Sequence, residues 1–183
     1  MNYKYILFIL PLSIQFLVAQ KTYKYVYHEN KNLKSEGWIN NNVNTDFWRY
    51  YYANGITSSE GHYIEGNKNG FWYYFSNSGK VLKEGHYDLG LKTGYWYFYD
   101  KKGRVLKEGH FVNNKAENWW IIYDIAAGIT KKYQYQNNKK EGFCLLYKNN
   151  RIFKAEKYKN DVKMGEWTDI ISFKRDNPNI SLR

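Results

Sequence analysis

One cysteine, Cys144, stands in 183 residues, so the chain cannot close an intramolecular disulfide and must hold itself together by packing. Long apolar runs are missing as well. The only sustained one, Ile6 to Ala19, is broken by Pro11 and is too short to span a bilayer stably. No cysteine follows it, which leaves a lipoprotein anchor without its acceptor thiol. Acidic residues are scarce, 17 Asp and Glu against 28 Lys and Arg, for a net charge of +11. A phosphate-binding glycine loop, a nucleophile elbow and a Cys-His pairing are all absent from the sequence. With no such motif to start from, we read the chain as non-enzymatic.

The apolar run follows Lys4 and has the make-up of a secretory signal peptide, with cleavage expected near Ala19-Gln20 although Leu17 sits where a small residue is usual. Residues 1–20 are therefore read as a removable leader, and the mature chain as exported to the periplasm, the cell surface or the medium. Losing the leader removes one lysine, leaving 27 basic against 17 acidic residues and a net charge of about +10. A protein so charged meets acidic lipids, lipopolysaccharide or acidic polymers readily; the plainer alternative is a solvated lysine-rich face that keeps an aromatic chain soluble. Nucleic acid is not among the expected partners.

What the sequence has in abundance is period. Glu36-Gly37, Glu60-Gly61, Glu84-Gly85 and Glu108-Gly109 recur every 24 residues, as do Trp48, Trp72, Trp96 and Trp120. Within each unit the runs Phe47 to Tyr51, Phe71 to Phe75, Tyr95 to Tyr99, Trp119 to Tyr123 and Phe143 to Tyr147 are aromatic, β-branched and too short for helices. A second run, Val81 to Tyr87 with counterparts Ile56 to Tyr63 and Val105 to Phe111, alternates apolar and polar residues. Each unit reads as one β-hairpin.

Ala53-Asn54-Gly55, Asn77-Ser78-Gly79 and Lys101-Lys102-Gly103 fit three-residue hairpin loops whose last residue takes positive φ. In the sixth unit, one residue shorter, the loop contracts to Asn149-Asn150. The alternate connection carries Asn42, Gly66, Gly90, Asn114, Asn138 and Asp161, all tolerant of the left-handed region. Centring that turn on residues 66 and 67 puts Gly61 opposite Trp72, so that an indole lies over a bare glycine. Where the glycine becomes Tyr133 the tryptophan becomes Cys144, a large-for-small exchange that makes the cysteine a packing residue. A single unit buries too little to fold alone, so the units must stack, each held by its neighbours.

The chain thus divides into the leader 1–20, a hairpin array over 21–173 and a tail 174–183, containing Pro178, that is expected to fray. The array opens with a degenerate unit (Tyr23 to Thr45), continues through four clear units and a shortened one (Gly142 to Met164), and closes with a half unit, Gly165 to Phe173.

The stretch Asn69-Gly70-x-Trp72-x-Tyr74-x2-Asn77-x-Gly79-x4-Glu84-Gly85-x-Tyr87 resembles the MORN-repeat variant of bacterial proteins labelled YwqK-like antitoxins, over about residues 24 to 173. Asp46, Asn118, Lys132-Tyr133 and Cys144 depart from that pattern. The resemblance implies an all-β, elongated, single-layer antiparallel sheet of tandem hairpins that serves as an interaction scaffold without catalysis of its own. An intracellular antitoxin role fits poorly with an export signal, so the label is taken as a family name only.

The ladder Trp48, Trp72, Trp96 and Trp120, with Tyr50, Tyr74 and Phe98 two residues on, is the candidate binding groove, able to stack on sugar rings or a peptide; the alternative is rings packed only on one another. His62, His86 and His110 repeat about 10 Å apart, too far for three to reach one metal, and no metal or other cofactor is expected. Glu36, Glu60, Glu84 and Glu108 share the parity of those histidines, and their recurrence in every unit speaks for structure rather than for one reaction centre. The sequence leads to an exported scaffold that binds another protein through its aromatic sheet, with adhesion to an anionic membrane or envelope surface through basic edges as the alternative. Open sheet edges also permit self-association.

Overall fold

The computed structural model describes residues 20–180. The leader reading falls almost wholly on residues 1–19, outside the described residues. From Thr22 to Trp167 the chain is thirteen antiparallel strands in one open sheet, each beside its neighbours in sequence. The strands are β1 (Thr22–Tyr27), β2 (Leu33–Asn40), β3 (Val43–Tyr51), β4 (Thr57–Ile64), β5 (Asn67–Phe75), β6 (Val81–Asp88) and β7 (Leu91–Tyr99). They continue as β8 (Val105–Val112), β9 (Lys115–Asp124), β10 (Ile129–Gln136), β11 (Lys139–Lys148), β12 (Arg151–Lys159) and β13 (Val162–Trp167), followed by helix α1 (Ile170–Asp176). The expected single-layer sheet of tandem hairpins is the observed fold.

Gly61 pairs with Trp72, Gly85 with Trp96 and Gly109 with Trp120, as the spacing of eleven requires. The turn itself lies one residue earlier than expected. Glu65 and Gly66, with φ of 49° and 79°, form a two-residue turn that closes Ile64 on Asn67. The register then jumps, because Gly70 and Phe71 have no partners on β4, and this bulge restores Gly61 to Trp72. The bulge position has positive φ in five units, at Asp46, Gly70, Gly94, Asn118 and Gly142. Asp46 and Asn118, departures from the repeat pattern by name, therefore keep its backbone: both are residue types that tolerate the left-handed region.

The three-residue loops close as expected, with Gly55, Gly79 and Gly103 at φ of 83°, 82° and 82° and Tyr52, Ser76 and Asp100 bonded to Ile56, Lys80 and Arg104. Asn149 and Asn150 make the contracted turn of the short unit. Successive turns are tied together: Gly66, Gly90, Asn114, Asn138 and Asp161 each donate a backbone N–H to a carbonyl of the preceding unit. Where the residue is Asn or Asp its side chain adds a second bond, accepting from the N–H of Lys92, Ala116 or Lys140.

The C-terminal end departs from the expectation of a strand-like half unit and a frayed tail. Asp169 caps α1 by accepting from the N–H groups of Ile171 and Ser172, and Phe173 is 1 % exposed against Leu145, Ala155, Phe143 and Trp167. Asn177 is buried, with its amide donating to the Phe173 carbonyl. The Asp-Ile-Ile-Ser-Phe run has the capping residue and apolar spacing of a helix start, and the last strands leave apolar surface for it to cover.

A Cβ added at Gly85 would lie 2.3 Å from the Trp96 ring. Gly85→Ala is therefore expected to lower unfolding free energy by about 1–3 kcal/mol through overpacking. In denaturant titrations the double variant G85A/W96A should lose less than the sum of the two single changes.

Candidate binding faces

A single-layer sheet has two faces, and period-two alternation sends each side chain to one of them. The first face carries the row Gly37, Trp48, Gly61, Trp72, Gly85, Trp96, Gly109 and Trp120, linked partner to partner across β2–β9. Each indole lies flat over the glycine of the strand before it. Trp72 is edge-on to Tyr63 and Tyr87 and tilted against Tyr50 and Tyr74, while its Nε1–H donates to the His62 carbonyl at 3.0 Å, beside the bulge. Trp48, Trp96 and Trp120 donate in the same way to the carbonyls of Trp38, His86 and His110. Backbone below and rings on each side, with a lysine above Trp72 and Trp96, leave the four indoles 0–5 % exposed although none of the described residues forms a second layer over this face.

The seven residues of the candidate groove thus share one face and one continuous layer. The tryptophans are filled in rather than open to a ligand; Tyr50, Tyr74 and Phe98 are half-buried. At the Tyr133–Cys144 pair the layer continues with sizes exchanged, and burial pushes the Cys144 thiol up to about 12, which leaves no reactive thiolate.

Lysines roof this layer. Lys68 Nζ lies 4.1 Å from the Trp72 ring centroid and donates to the Tyr74 hydroxyl at 2.8 Å, and that hydroxyl is paired with Tyr87 at 2.8 Å. Lys92 sits 5.0 Å from both Trp96 and Phe111, Lys83 4.4 Å from Tyr74, and Lys107 4.8 Å from Phe98. Burial, followed by repulsion from Lys83 and Lys92, brings Lys68 down to about 8, and burial lowers Lys92 as well. The basic residues of the central strands therefore lie on a face, where basic edges were expected.

The second face is aromatic, acidic and partly uncovered. Tyr51, Tyr99 and Tyr123 donate to Glu36, Glu84 and Glu108. Glu60 has Phe75 at the equivalent place, without a hydroxyl, and pairs with Arg49 at 2.7 Å instead. His62, His86 and His110 stand on this face, each exposed and edge-on to the ring of Phe47, Phe71 or Tyr95. Among the described residues no cluster of His, Cys, Asp and Glu has the geometry of a metal site. Trp38, Tyr73 and Trp119 are 38–39 % exposed here. Sequence parity identifies this face, but its half-exposed rings lie outside the candidate groove, which follows the more regular tryptophan ladder. α1 packs Phe173 onto the same face at the C-terminal end, and a cleft of about 150 Å³ beside it is lined by Ile152, Ala155, Trp167 and Asp169. The Asp169 carboxylate is engaged in capping the helix.

No family model matches the chain, and no curated protein matches it. Among solved structures it is similar to the crystal structure of accessory secretory protein 1,2 and 3 in Streptococcus pneumoniae, with 10 % identity and a TM-score of 0.30. That match covers 62 % of this chain and 19 % of the other.

Lys68 supplies a pH test of the roofed layer. Its folded-state pKa lies below the unfolded value of 10.5, so the unfolded chain binds more protons between about 8 and 10.5 and stability gains from Lys68 as pH rises through that window. Tyrosines whose pKa is raised in the fold act in the opposite direction above about pH 10, which confines the comparison to lower pH. The denaturation midpoint of the wild type should rise relative to that of Lys68→Met between pH 7.5 and 9.5, as followed by tryptophan fluorescence.

Proposed function

We propose that the chain is an exported, non-catalytic repeat scaffold of the MORN-like type that binds a protein partner on the glutamate and histidine face. The observation that carries this reading is the uncovered aromatic surface there, centred on Tyr73, whose continuation at the C-terminal end is covered by α1 through Phe173. The chain's own helix is thus a template for the partner: an apolar ridge on a helix or turn. Glu84 and Glu108 line the same face, held by tyrosine hydroxyls with no cation paired to them among the described residues, and favour basic groups flanking that ridge. Export rests on the leader-like run Ile6 to Ala19, and the scaffold role on the resemblance of the repeat and on side chains that recur unit by unit rather than converging on one centre.

A photo-crosslinking residue in place of Tyr73 is expected to capture one protein from the native envelope or culture fraction, at low and at moderate salt. Tyr73→Ser with Tyr97→Ser should cut recovery by about tenfold or more, and Lys83→Gln on the opposite face should leave it unchanged. Equal capture from a crosslinker at position 83, or recovery indifferent to the tyrosine changes, would overturn the assignment.

A further inference from the structure

Across β4 to β8 the two signs of charge are sorted by face. Every lysine, Lys68, Lys83, Lys92 and Lys107, stands on the tryptophan side; every carboxylate, Glu60, Glu84, Asp88 and Glu108, stands on the other. We propose that this lysine strip binds a linear acidic polysaccharide lying across the strands, along the axis of the sheet. The inference is independent of the protein partner, which docks on the opposite face.

The four ammonium groups have no counter-charge. Among the described residues none is within ion-pairing distance of a carboxylate, whereas farther along the face Lys131 pairs with Asp124, and Lys154 and Lys163 pair with Glu156 and Glu166. Lys68 has the Tyr74 hydroxyl as an acceptor, but Lys92 does not: Phe98 and Phe111 replace the tyrosine pair of the preceding unit. Toward the N-terminus the equivalent positions are Asn44 and Ser59, so the strip is bounded at one end by neutral residues and at the other by internal ion pairs. Bringing an anion to such a site costs no existing salt bridge, and its charge offsets the like-charge repulsion among Lys68, Lys83, Lys92 and Lys107.

The geometry selects the occupant. Lys68 and Lys92 form one row and Lys83 and Lys107 a second, each advancing by two strands, about 10 Å, per unit. Their ammonium groups lie down on the rings, 4.1–5.0 Å from the nearest centroids, instead of projecting outward. A bilayer surface touches what projects farthest; a thin chain can follow a row. Half-buried Tyr74, Tyr87, Phe98 and Phe111 lie between the lysines. A pyranose places its C–H face on such rings while its edge carboxylate meets an ammonium; an acidic peptide, with its charges on flexible stems, loses more side-chain entropy in making the same contacts.

The purified protein should bind polygalacturonate in calorimetry and leave uncharged dextran unbound, with affinity falling about tenfold or more between roughly 50 and 200 mM salt. K92Q/K107Q should weaken binding at least tenfold and K92R/K107R should retain it, while Lys132→Gln, on the other face, should change nothing; circular dichroism verifies that each variant is folded. Absence of binding at about 50 mM salt, or an equal loss with Lys132→Gln, would overturn the site. Polyglutamate or phosphatidylglycerol vesicles binding as tightly as polygalacturonate would overturn the choice of a sugar polymer. Photo-capture at Tyr73 should be untouched by K92Q/K107Q, so the two assignments fail separately.

Discussion

The fold depends on an indole lying on a glycine. A sheet one layer thick has no second layer to hide its large side chains, and the chain solves this within the layer by leaving one position bare in alternate strands and laying the next strand's tryptophan across it. The indole N–H needs an acceptor, and the bulge beside the glycine presents one, the carbonyl of the following residue. Glycine, bulge and tryptophan therefore form a single device. The tyrosines, phenylalanines and lysines around it complete the burial of the indole.

That device also explains the asymmetry of the two faces. Filling one side with tryptophan draws the half-buried aromatics and the lysine stems of that side into a continuous layer in which the indoles are covered, while ring edges and ammonium groups reach water. The opposite side has no glycine row to sink rings into, so its aromatic side chains stand partly exposed, interrupted by histidines and by tyrosine–glutamate bonds. Where α1 meets that side, Phe173 fits into it and becomes almost fully buried. Over β4 to β8 one side of the sheet is thus packed and cationic, the other open, aromatic and acidic.

Much of this was legible in the sequence. The 24-residue period gave the hairpins, the Gly and Asn positions gave the turns, and the spacing of eleven gave the Gly61–Trp72 contact. The bulge was hidden because aspartate and asparagine substitute there for glycine, and names differ where backbones agree. Without it the aromatic runs start only at Phe71 and Tyr95; in β5 and β7 Lys68 and Lys92 are strand residues too, sharing the tryptophan side. Exposure was the harder part, since parity tells which residues share a face but not which face is filled. Helix α1 escaped because Gly165 and Trp167 keep the Gly-x-Trp spacing of the repeat, although the chain leaves the sheet just after them.

Strand order follows chain order without a single crossover. Nearly every pairing is with the hairpin just finished, so assembly never has to wait for a distant segment, a situation that favours rapid folding. A polypeptide released N-terminus first, from a ribosome or through a narrow channel, can zip each module onto the last as it emerges. The same linear wiring lets evolution lengthen or trim the sheet by whole modules, setting its reach without rethreading anything.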